Sequence, residues 1–400
     1  MELQHLLFSL SGASIIVLVL AGCDGPGWEA TGPTIRDSAG VQIIEYGRVP
    51  SSAAPFKVSE RPLFEHGAED AEYAFSGIVT GALLPDGRVV VGDIGTSEIV
   101  FLNAEGGLEA IAGGRGQGPG EIGLLASITS LPNGLIVVED DGNNRLTLFD
   151  NHTPLNTISG RPLGWLRMVT VIGADDSGIL LLGPRGFRPE FEEPWHRGAI
   201  QGFDLSRMSV DTILQFDFVR RPTGGVSNPF TPEGARAVAG GLVVIGRTDR
   251  AELRWHNSEG ELLRIIRWRH ETQFPSEVHW QVLDSMVRER MAGAGSDAIE
   301  DMLARWREGA TEALPVFRGI VGASNGDVWM GGGTPRADGI SEYSVVSSEG
   351  EWLGSVTMPR RFRVLHITED KILGVLRDDL DVERVAVFEI VGRDRGRPGA

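Results

Sequence analysis

The sequence contains one cysteine, Cys23, and two lysines, Lys57 and Lys371, among 400 residues. A single cysteine excludes a disulfide within the chain and a thiolate metal cluster. The formal net charge is −18, and no basic stripe interrupts the acidic composition. Because nucleic-acid binding depends on clustered Lys and Arg, this composition argues against a nucleic-acid partner.

The sequence motifs of several enzyme classes are also missing. There is no GxSxG, and the eight histidines form neither HxH nor HExxH. The glycine-rich stretch 113–120 lacks the Gly-Lys-Ser/Thr ending of a phosphate-binding loop, so we interpret it as a connector whose glycines supply positive φ. His366 lies in an apolar run and is interpreted as a core histidine. We predict no catalytic residue.

Long hydrophobic runs are scarce. The apolar run Leu6–Leu20 is interrupted by three serines and a glycine, which is too weak and short to predict a membrane-spanning helix. It ends in Leu20-Ala21-Gly22-Cys23, which resembles the lipobox of bacterial lipoproteins. The resemblance implies cleavage before Cys23 and lipidation of its thiol, and several acyl chains give a stable membrane anchor.

The same segment departs from the usual pattern because its first residues carry no Lys or Arg. An ordinary signal anchor that ends in cysteine therefore stays an alternative. We expect a signal peptide over 1–22, a Gly/Pro-rich tether over 23–35, and a lipid-anchored protein in the bacterial envelope. It would face the periplasm, on the inner or the outer membrane.

The rest of the chain repeats one pattern of short strands and tight turns. Its clearest copy places Asn133-Gly134, expected to form a two-residue turn, between two apolar runs, which is a strong hairpin signal. Equivalent turns occur at positions 87, 134, 178, 241, 326 and about 370, and three intervals are 44 to 47 residues long. A four-stranded propeller blade has a period of roughly 40–50 residues. The two longer intervals contain a Pro-rich stretch, 184–196, and a helical insertion, about 276–313.

These repeats predict an all-β fold: a six-bladed β-propeller of four-stranded antiparallel blades over 36–393, with a disordered tail at 394–400. A radial array of sheets must close on itself or leave an exposed edge. The sixth repeat offers only three strands. We therefore expect Val41–Tyr46, an apolar strand without a neighbouring partner in sequence, to supply the fourth strand of the last blade.

The run Gly116–Glu121 (GQGPGE), followed by Asn133-Gly134 and then Asn143–Leu146 (NNRL), resembles the NHL-type repeat of six-bladed propellers. The opening RDSAGVQIIEY and the ending GVLRDDLDVERVAVFEI resemble a group of bacterial six-bladed propeller lipoproteins of unassigned function. The resemblance implies a fold and an envelope location, and it carries no catalytic residues.

Polar residues at equivalent strand ends are the candidate binding residues. The loops at one face of a propeller and its channel mouth carry binding, and the residues expected to ring one opening are Asp93, Glu139, Asp140, Arg185, Arg247 and Arg377. They would suit a polar ligand, or they would form ion pairs between blades worth about 0–1 kcal/mol each when exposed. The segment 139–143 has the oxygen density of a calcium loop but lacks EF-hand spacing, so we interpret it as a turn.

Two functions remain open from the sequence. The first is a monomeric binding or scaffolding module of the envelope, for a protein partner or a small polar ligand, with no cofactor predicted. The alternative is a metal-dependent hydrolase, lactonase or lyase with calcium in the central channel. Its ligands would come from several blades, among them Glu139, Asp140, Asp93, Asn144 and Asp379.

The two insertions offer further surfaces. The helical insertion and the loop that carries Phe187, Phe191 and Trp195 would form a lid or a partner surface, or would pack on the flank.

Overall fold

The computed structural model describes residues 32–393, apart from 48, 50, 51, 68–71, 161–168, 186–192, 223–227, 292–294, 309–311, 335, 337 and 379. The expected signal peptide 1–22, Cys23, most of the 23–35 tether and the 394–400 tail lie outside the described residues, as do Phe187, Phe191 and Asp379. Within the described part of the chain, no helix is long and apolar enough to cross a membrane.

Four short strands precede the repeats: β1 (Thr34–Ser38), β2 (Val41–Tyr46), β3 (Lys57–Val58) and β4 (Phe64–His66). Blades one to three then follow in chain order. Blade one contains β5 (Ile78–Leu83), β6 (Val89–Asp93), β7 (Glu98–Leu102) and β8 (Leu108–Gly113). Blade two contains β9 (Leu125–Ser130), β10 (Ile136–Asp140), β11 (Arg145–Asp150) and β12 (Thr153–Ser159). Blade three contains β13 (Val169–Ala174), β14 (Leu180–Pro184), β15 (Trp195–Asp204) and β16 (Ser209–Arg220).

Blades four to six follow, and two helices lie between blades four and five in the chain. Blade four contains β17 (Gly234–Ala239), β18 (Leu242–Arg247), β19 (Glu252–His256) and β20 (Leu262–Trp268). After it come α1 (Glu277–Arg290) and α2 (Ser296–Glu308). Blade five contains β21 (Phe317–Gly322), β22 (Val328–Gly332), β23 (Glu342–Val346) and β24 (Trp352–Thr357). Blade six contains β25 (Phe362–Ile367), β26 (Lys371–Arg377) and β27 (Glu383–Val391).

The sheets form a closed ring, and the fold is the expected six-bladed propeller. Within each blade the consecutive strands pair antiparallel. The first strand of each blade lies beside the first strand of the next, and β25 of blade six returns to β5 of blade one. All six first strands therefore begin at one face of the ring, the start face, and turn into the second strands at the other, the hairpin face. Between them lies a channel of about 990 Å³, lined by all six blades.

The second strands are apolar almost throughout because both of their faces are covered. The runs of β6, β10 and β14 are buried at every residue, as continuous apolar strands between packed layers are expected to be. Trp329, in the second strand of blade five, is likewise fully buried. The cores therefore lie between blades rather than inside one blade.

The hairpin turns follow the expected chemistry with one difference. Asn133-Gly134 was expected to form a two-residue turn, but Leu131 N donates to Leu135 O at 2.8 Å and Gly134 N donates to Leu131 O at 2.9 Å. This is a three-residue loop in which only Gly134 has positive φ, at 84°, the geometry of a turn followed by a glycine bulge. Gly240-Gly241 in blade four is the two-residue form, with both φ angles positive.

The expected position of Val41–Tyr46 was wrong. This strand, β2, pairs parallel with β20 on the outside of blade four, and β1 covers its other edge. The last blade is instead completed by β4 and β3, which pair antiparallel with β27. The physical reason is the space between blades four and five, where Ile44 and Tyr46 pack with Trp268 and Trp352.

The helical insertion is where the sequence placed it. Trp280 and Leu283 of α1 pack with Phe230, which precedes β17, and with Leu314, which precedes β21. Because β17 and β21 begin at the start face, the insertion lies at that face, beside blades four and five.

Tyr46 gives a direct test of how the N-terminal strand is held. Its hydroxyl donates to Gly350 O at 2.9 Å and accepts from Trp352 N at 2.9 Å, which joins β2 to blade five. Tyr46→Phe leaves a buried amide without its acceptor, so we expect a loss of about 1–3 kcal/mol in the free energy of unfolding. Chemical denaturation measures this loss.

Tyr343→Phe is the matched control, because the hydroxyl of Tyr343 makes no hydrogen bond to a described residue. We expect this variant to stay within about 0.5 kcal/mol of the parent. Equal losses in the two variants would show that the paired hydroxyl of Tyr46 does not stabilise the junction.

Candidate functional site

The six candidate residues all lie at the start face, where the second strands end. Asp93 and Asp140 are the last residues of β6 and β10, Arg247 and Arg377 are the last residues of β18 and β26, and Arg185 directly follows β14. Glu139 precedes Asp140. Their side chains have different surroundings, and only Glu139, Arg185 and the neighbouring Asp141 form one connected group.

Asp93 fastens the first strand of blade one to the second. Its carboxylate accepts hydrogen bonds from the backbone amides of Ser76 and Gly95, both at 2.8 Å, and from the hydroxyl of Tyr73 at 3.3 Å. The side chain is fully buried. Its oxygens are therefore occupied by the turn that leads into β5.

Asp140 does the same in blade two. It accepts from the amides of Gly123, Leu124 and Asn143 at 3.0–3.1 Å and from the guanidinium of Arg145 at 3.2 Å. This position is therefore a buried cap between strands in both blades, in agreement with the interpretation of 139–143 as a turn.

The glycine-rich connector is held by the residues that follow Asp140. Arg145 donates to the carbonyl oxygens of Gly118, at 2.9 Å, and of Glu121, and Asn143 donates to the carbonyl of Gly116 at 2.8 Å. Asn143 and Arg145 thus bind the connector carbonyls that no strand satisfies. This contact explains why a GQGPGE run and an NNR run occur together in one blade.

Arg247 and Arg377 are paired with carboxylates. Arg247 donates to Asp249 at 2.6 Å and 2.9 Å and to Asp217 of blade three at 2.9 Å. Arg377 donates to Glu383 at 3.0 Å, and the other oxygen of Glu383 accepts from Ile78 N of blade one at 2.6 Å. The ion pair of Arg247 and the hydrogen bond of Glu383 therefore each join neighbouring blades.

Glu139 occupies a position that is glycine in four other blades. Strand register makes it equivalent to Gly92, Gly183, Gly246 and Gly331. The position faces the first strand of the next blade: a Cβ at Gly92 would lie 2.3 Å from Leu125, and one at Gly183 would lie 2.4 Å from Arg236. Blade two instead places a carboxylate between itself and blade three.

The carboxylate of Glu139 is only partly satisfied. Its Oε2 accepts from Ser127 Oγ at 2.6 Å, Thr170 Oγ1 at 2.7 Å and Val171 N at 3.1 Å. Its buried Oε1 has no hydrogen-bond partner among the described residues, and the guanidinium of Arg185 lies 3.9 Å away. Burial raises the pKa of Glu139 above its usual range, against the hydrogen bonds and the charge of Arg185.

Arg185 links Glu139 to a second, half-buried carboxylate, that of Asp141. It pairs with Asp141 through Nη1 and donates to Thr170 Oγ1 through Nη2 at 3.1 Å. Burial raises the pKa of Asp141 as well, while Arg185 opposes that effect. Two carboxylates therefore share one guanidinium at the junction of blades two and three.

The carboxylates do not converge as a metal site. Glu139 and Asp140 are adjacent in β10, so their side chains point to opposite faces of the sheet, one toward blade three and the other into its own turn. Within the described ranges, no group of three or more His, Asp or Glu side chains is arranged to hold a metal ion. Asn144, another expected metal ligand, lies in the turn after Asp140, where its backbone φ is positive, 51°.

Sequence reasoning missed three arginines of the innermost strands. Arg236 is the third residue of β17, and Arg318 and Arg363 are the second residues of β21 and β25. They come from blades four, five and six, at the start of strands that line the channel. By register, Arg318 corresponds to Val79 and Ala126 of blades one and two, whereas Arg236 and Arg363 lie at other places near the start of their strands. A comparison of the first strands would have found the group as arginines in place of apolar or small residues.

None of these three guanidinium groups forms an ion pair with a described carboxylate, although the charge of Glu233 acts on Arg236 and Arg318 and that of Glu383 acts on Arg363. Arg236 donates to Pro184 O at 2.6 Å, and burial together with the charge of Arg185 lowers the pKa of Arg236 to about 10. Arg363 donates to Ile78 O, and Arg318 makes no hydrogen bond or ion pair to a described residue. Burial lowers the pKa of both, although both side chains also reach solvent.

The hairpin face has the opposite character. Asp86, Asp176, Glu369 and Asp370 lie there in the channel lining, together with Lys371. His366 lies farther inside, where its Nδ1 accepts from Leu83 N of blade one at 3.0 Å, and burial lowers its pKa to about 4. It is a neutral structural histidine near neutral pH. The hairpin end of the channel is therefore acidic, whereas the three innermost-strand arginines lie toward the start face.

Solved structures with this fold share little sequence with the chain. A member of the DUF4221 family from Bacteroides vulgatus has a TM-score of 0.51 at 11% identity, covering 84% of this chain and 98% of its own. A Bacteroides fragilis protein described as exported has a TM-score of 0.49 at 13% identity, covering 87% and 99%. A catalytically inactive virginiamycin B lyase from Staphylococcus aureus has 0.40 at 11%, covering 81% and 86%.

No family model and no curated protein matches the sequence. A likeness of this degree shows the fold alone, so the chain is assigned to the six-bladed β-propellers by architecture.

The raised pKa of Glu139 predicts a pH dependence. Between the unfolded pKa near 4.5 and the higher folded value, the folded state keeps a proton that the unfolded chain releases. Stability from this group is therefore present at low pH and lost as pH rises through the folded pKa. Glu139→Gln removes the titration and keeps an acceptor for Ser127 and Thr170. Relative to the parent, we expect this variant to become more stable as pH increases from 4.5 to 8.

Thermal melts of both proteins across that range test the expectation. Glu105→Gln, at an exposed turn position, is the control and should show a constant difference from the parent. A constant difference for Glu139→Gln would mean that Glu139 titrates as it does in the unfolded chain.

Proposed function

We propose that this protein is a ligand-binding propeller of the bacterial envelope that takes a small organic anion at the start face of its channel. The main support is that three arginines of the innermost strands, Arg236, Arg318 and Arg363, form no ion pair with a described carboxylate, although the chain has a net charge of −18. Binding, rather than scaffolding alone, is favoured because these cations lie on the innermost strands, where Arg236 lines the channel, and not on the outer strands of the blades.

The three guanidinium groups are partly dehydrated and form no ion pair with a described carboxylate. A cation that loses part of its hydration without gaining a counter-ion costs free energy, and the lowered pKa values of Arg236, Arg318 and Arg363 report that cost. An anion bound between the blades would offset it with charge-assisted hydrogen bonds. Arg318 is best placed to contact such a ligand first, because it is exposed and makes no ion pair with a described residue.

The other start-face groups would orient the arginines. Arg185 lies next to Arg236, since its charge acts on that guanidinium, and Arg377 acts in the same way on Arg363. Arg185 is itself held by Asp141 and Thr170. The candidate residues Arg185 and Arg377 would thus support the binding groups, while Asp93, Asp140 and Arg247 hold the blades together.

The cellular location is also part of the proposal. The Leu20–Cys23 sequence supports lipidation at Cys23 and a periplasmic location, and the GQGPGE and NNR runs of blade two support an NHL-type origin of the repeats. The helical insertion lies at the same face as the arginines, so it would serve as a lid or as the surface for an envelope protein partner. We propose a monomer.

The enzymatic alternative needs a metal that the described carboxylates are not arranged to hold together. Metal analysis of purified protein, with melts in calcium and in chelator, separates the two functions. A stoichiometric ion whose removal lowers the melting temperature would favour the hydrolase or lyase.

Arg318→Met tests the anion site. Isothermal titration with citrate and with inorganic phosphate should show binding to the parent that weakens as salt increases. Loss of one charge-assisted hydrogen bond is worth about 1.5–3 kcal/mol, so we expect Arg318→Met to weaken binding about tenfold or more. Methionine keeps an unbranched apolar side chain in place of the methylene part of arginine and removes the charge.

Arg207→Met is the matched control, because Arg207 is exposed in a turn of blade three and paired with Asp204. It should bind as the parent does. If neither probe binds the parent at millimolar concentration, or if Arg318→Met binds them equally well, the proposed site is wrong.

A further inference from the structure

A second basic cavity lies outside the channel, on the flank between blades three and four. Its volume is about 190 Å³. Phe216 of β16 and Ile245 of β18 form its apolar part, and both are buried. Of the six candidate residues from the sequence, Arg247 lines this cavity, and the channel site does not use it.

Four guanidinium groups surround the cavity, against two carboxylates. The charged lining residues are Arg197, Arg247, Arg250, Arg254, Asp217 and Glu252. Glu252 is shared, because it accepts from Arg254 at 2.7 Å and from Arg267 at 2.5 Å. The carboxylates present therefore do not neutralise the arginines one to one.

Two of the arginines are held rigidly and two are not. Arg247 is fixed by Asp217 and by both oxygens of Asp249, and its Cζ lies 4.0 Å from the ring centre of Trp195. Arg254 is fixed by Glu252. These contacts hold one wall of the cavity in place before any ligand arrives, which lowers the cost of ordering on binding.

Arg197 and Arg250 carry the unmet charge. Arg250 is exposed in the turn after β18, and its side chain makes no hydrogen bond or ion pair to a described residue. Arg197 is exposed on β15, and its guanidinium reaches one carbonyl, Gln215 O, at 3.4 Å. Both guanidinium groups belong to the cavity lining, so they are available to an oxyanion placed between the blades.

We infer that this flank cavity is a second binding site, specific for the oxyanion group of a small molecule, a carboxylate or a phosphate ester. Paired guanidinium groups match the planar or tetrahedral oxygens of such groups. The buried Phe216 and Ile245 would contact the short apolar part of the ligand. The volume limits the bound part to a phosphate or a carboxylate with a few carbon atoms.

The test counts sites with inorganic phosphate and with propionate as probes. Isothermal titration of the parent with phosphate should fit a two-site model. In the double variant Arg197→Met, Arg250→Met, the phosphate affinity of one of these sites should fall at least tenfold. Both substitutions are on exposed side chains outside the ion pairs that hold blades three and four together, so the variant should melt as the parent does. Arg207→Met, in the same blade, is the control. Preferential binding of propionate or of phosphate at this site identifies the oxyanion.

Failure here is distinguishable from failure of the channel proposal. Arg318→Met should remove the other phosphate site and leave the flank site intact. A crystal of the parent in phosphate should show the ion between Arg197 and Arg250. If all binding disappears in Arg318→Met, or if the double variant binds both probes as the parent does, the flank cavity is not a binding site.

Discussion

Burial of both faces of every blade is the constraint on which the rest of the molecule depends. Because each sheet packs between two others, the second strands are apolar except near their ends, and the residues next to those ends approach the next blade closely. Glycine meets that requirement at Gly92 and Gly183. Glu139 breaks the pattern, and its carboxylate is retained only through hydrogen bonds from Ser127, Thr170 and the backbone of Val171.

The same constraint sorts the charged residues at the start face. Asp93 and Asp140 are buried and accept hydrogen bonds from backbone amides of the adjoining turns. Their carboxylates therefore stabilise these turns and do not pair with the channel arginines. Arginine side chains are longer, and from the first strands they reach past the backbone toward the neighbouring blade. Arg236 and Arg363 meet carbonyl oxygens there instead of carboxylates. The result is a group of arginines toward the start face of an acidic protein.

The N-terminal segment holds three blades in the ring. β2 extends blade four, Tyr46 binds the backbone of blade five, and β4 completes blade six. A propeller closed by one short strand relies on few hydrogen bonds, whereas here the segment crosses the outer edges of three consecutive blades. Exposed strand edges invite association with other chains. Here β20 and β27 are covered, and the outermost strand of blade four is the short, exposed β1.

The sequence by itself determined the number of blades, the turns and the helical insertion, because these depend on local spacing and on residues such as Gly134 and Gly87 whose φ is positive. It also placed Asp93, Asp140 and Arg185 at one end of their blades. Only the tertiary structure decided which edge Val41–Tyr46 joins, since several edges offer similar backbone partners and the space beside Trp352 selects one. It also decided which charges remain unmet, because Arg236, Arg318 and Arg363 meet their surroundings across blade junctions between residues distant in the chain.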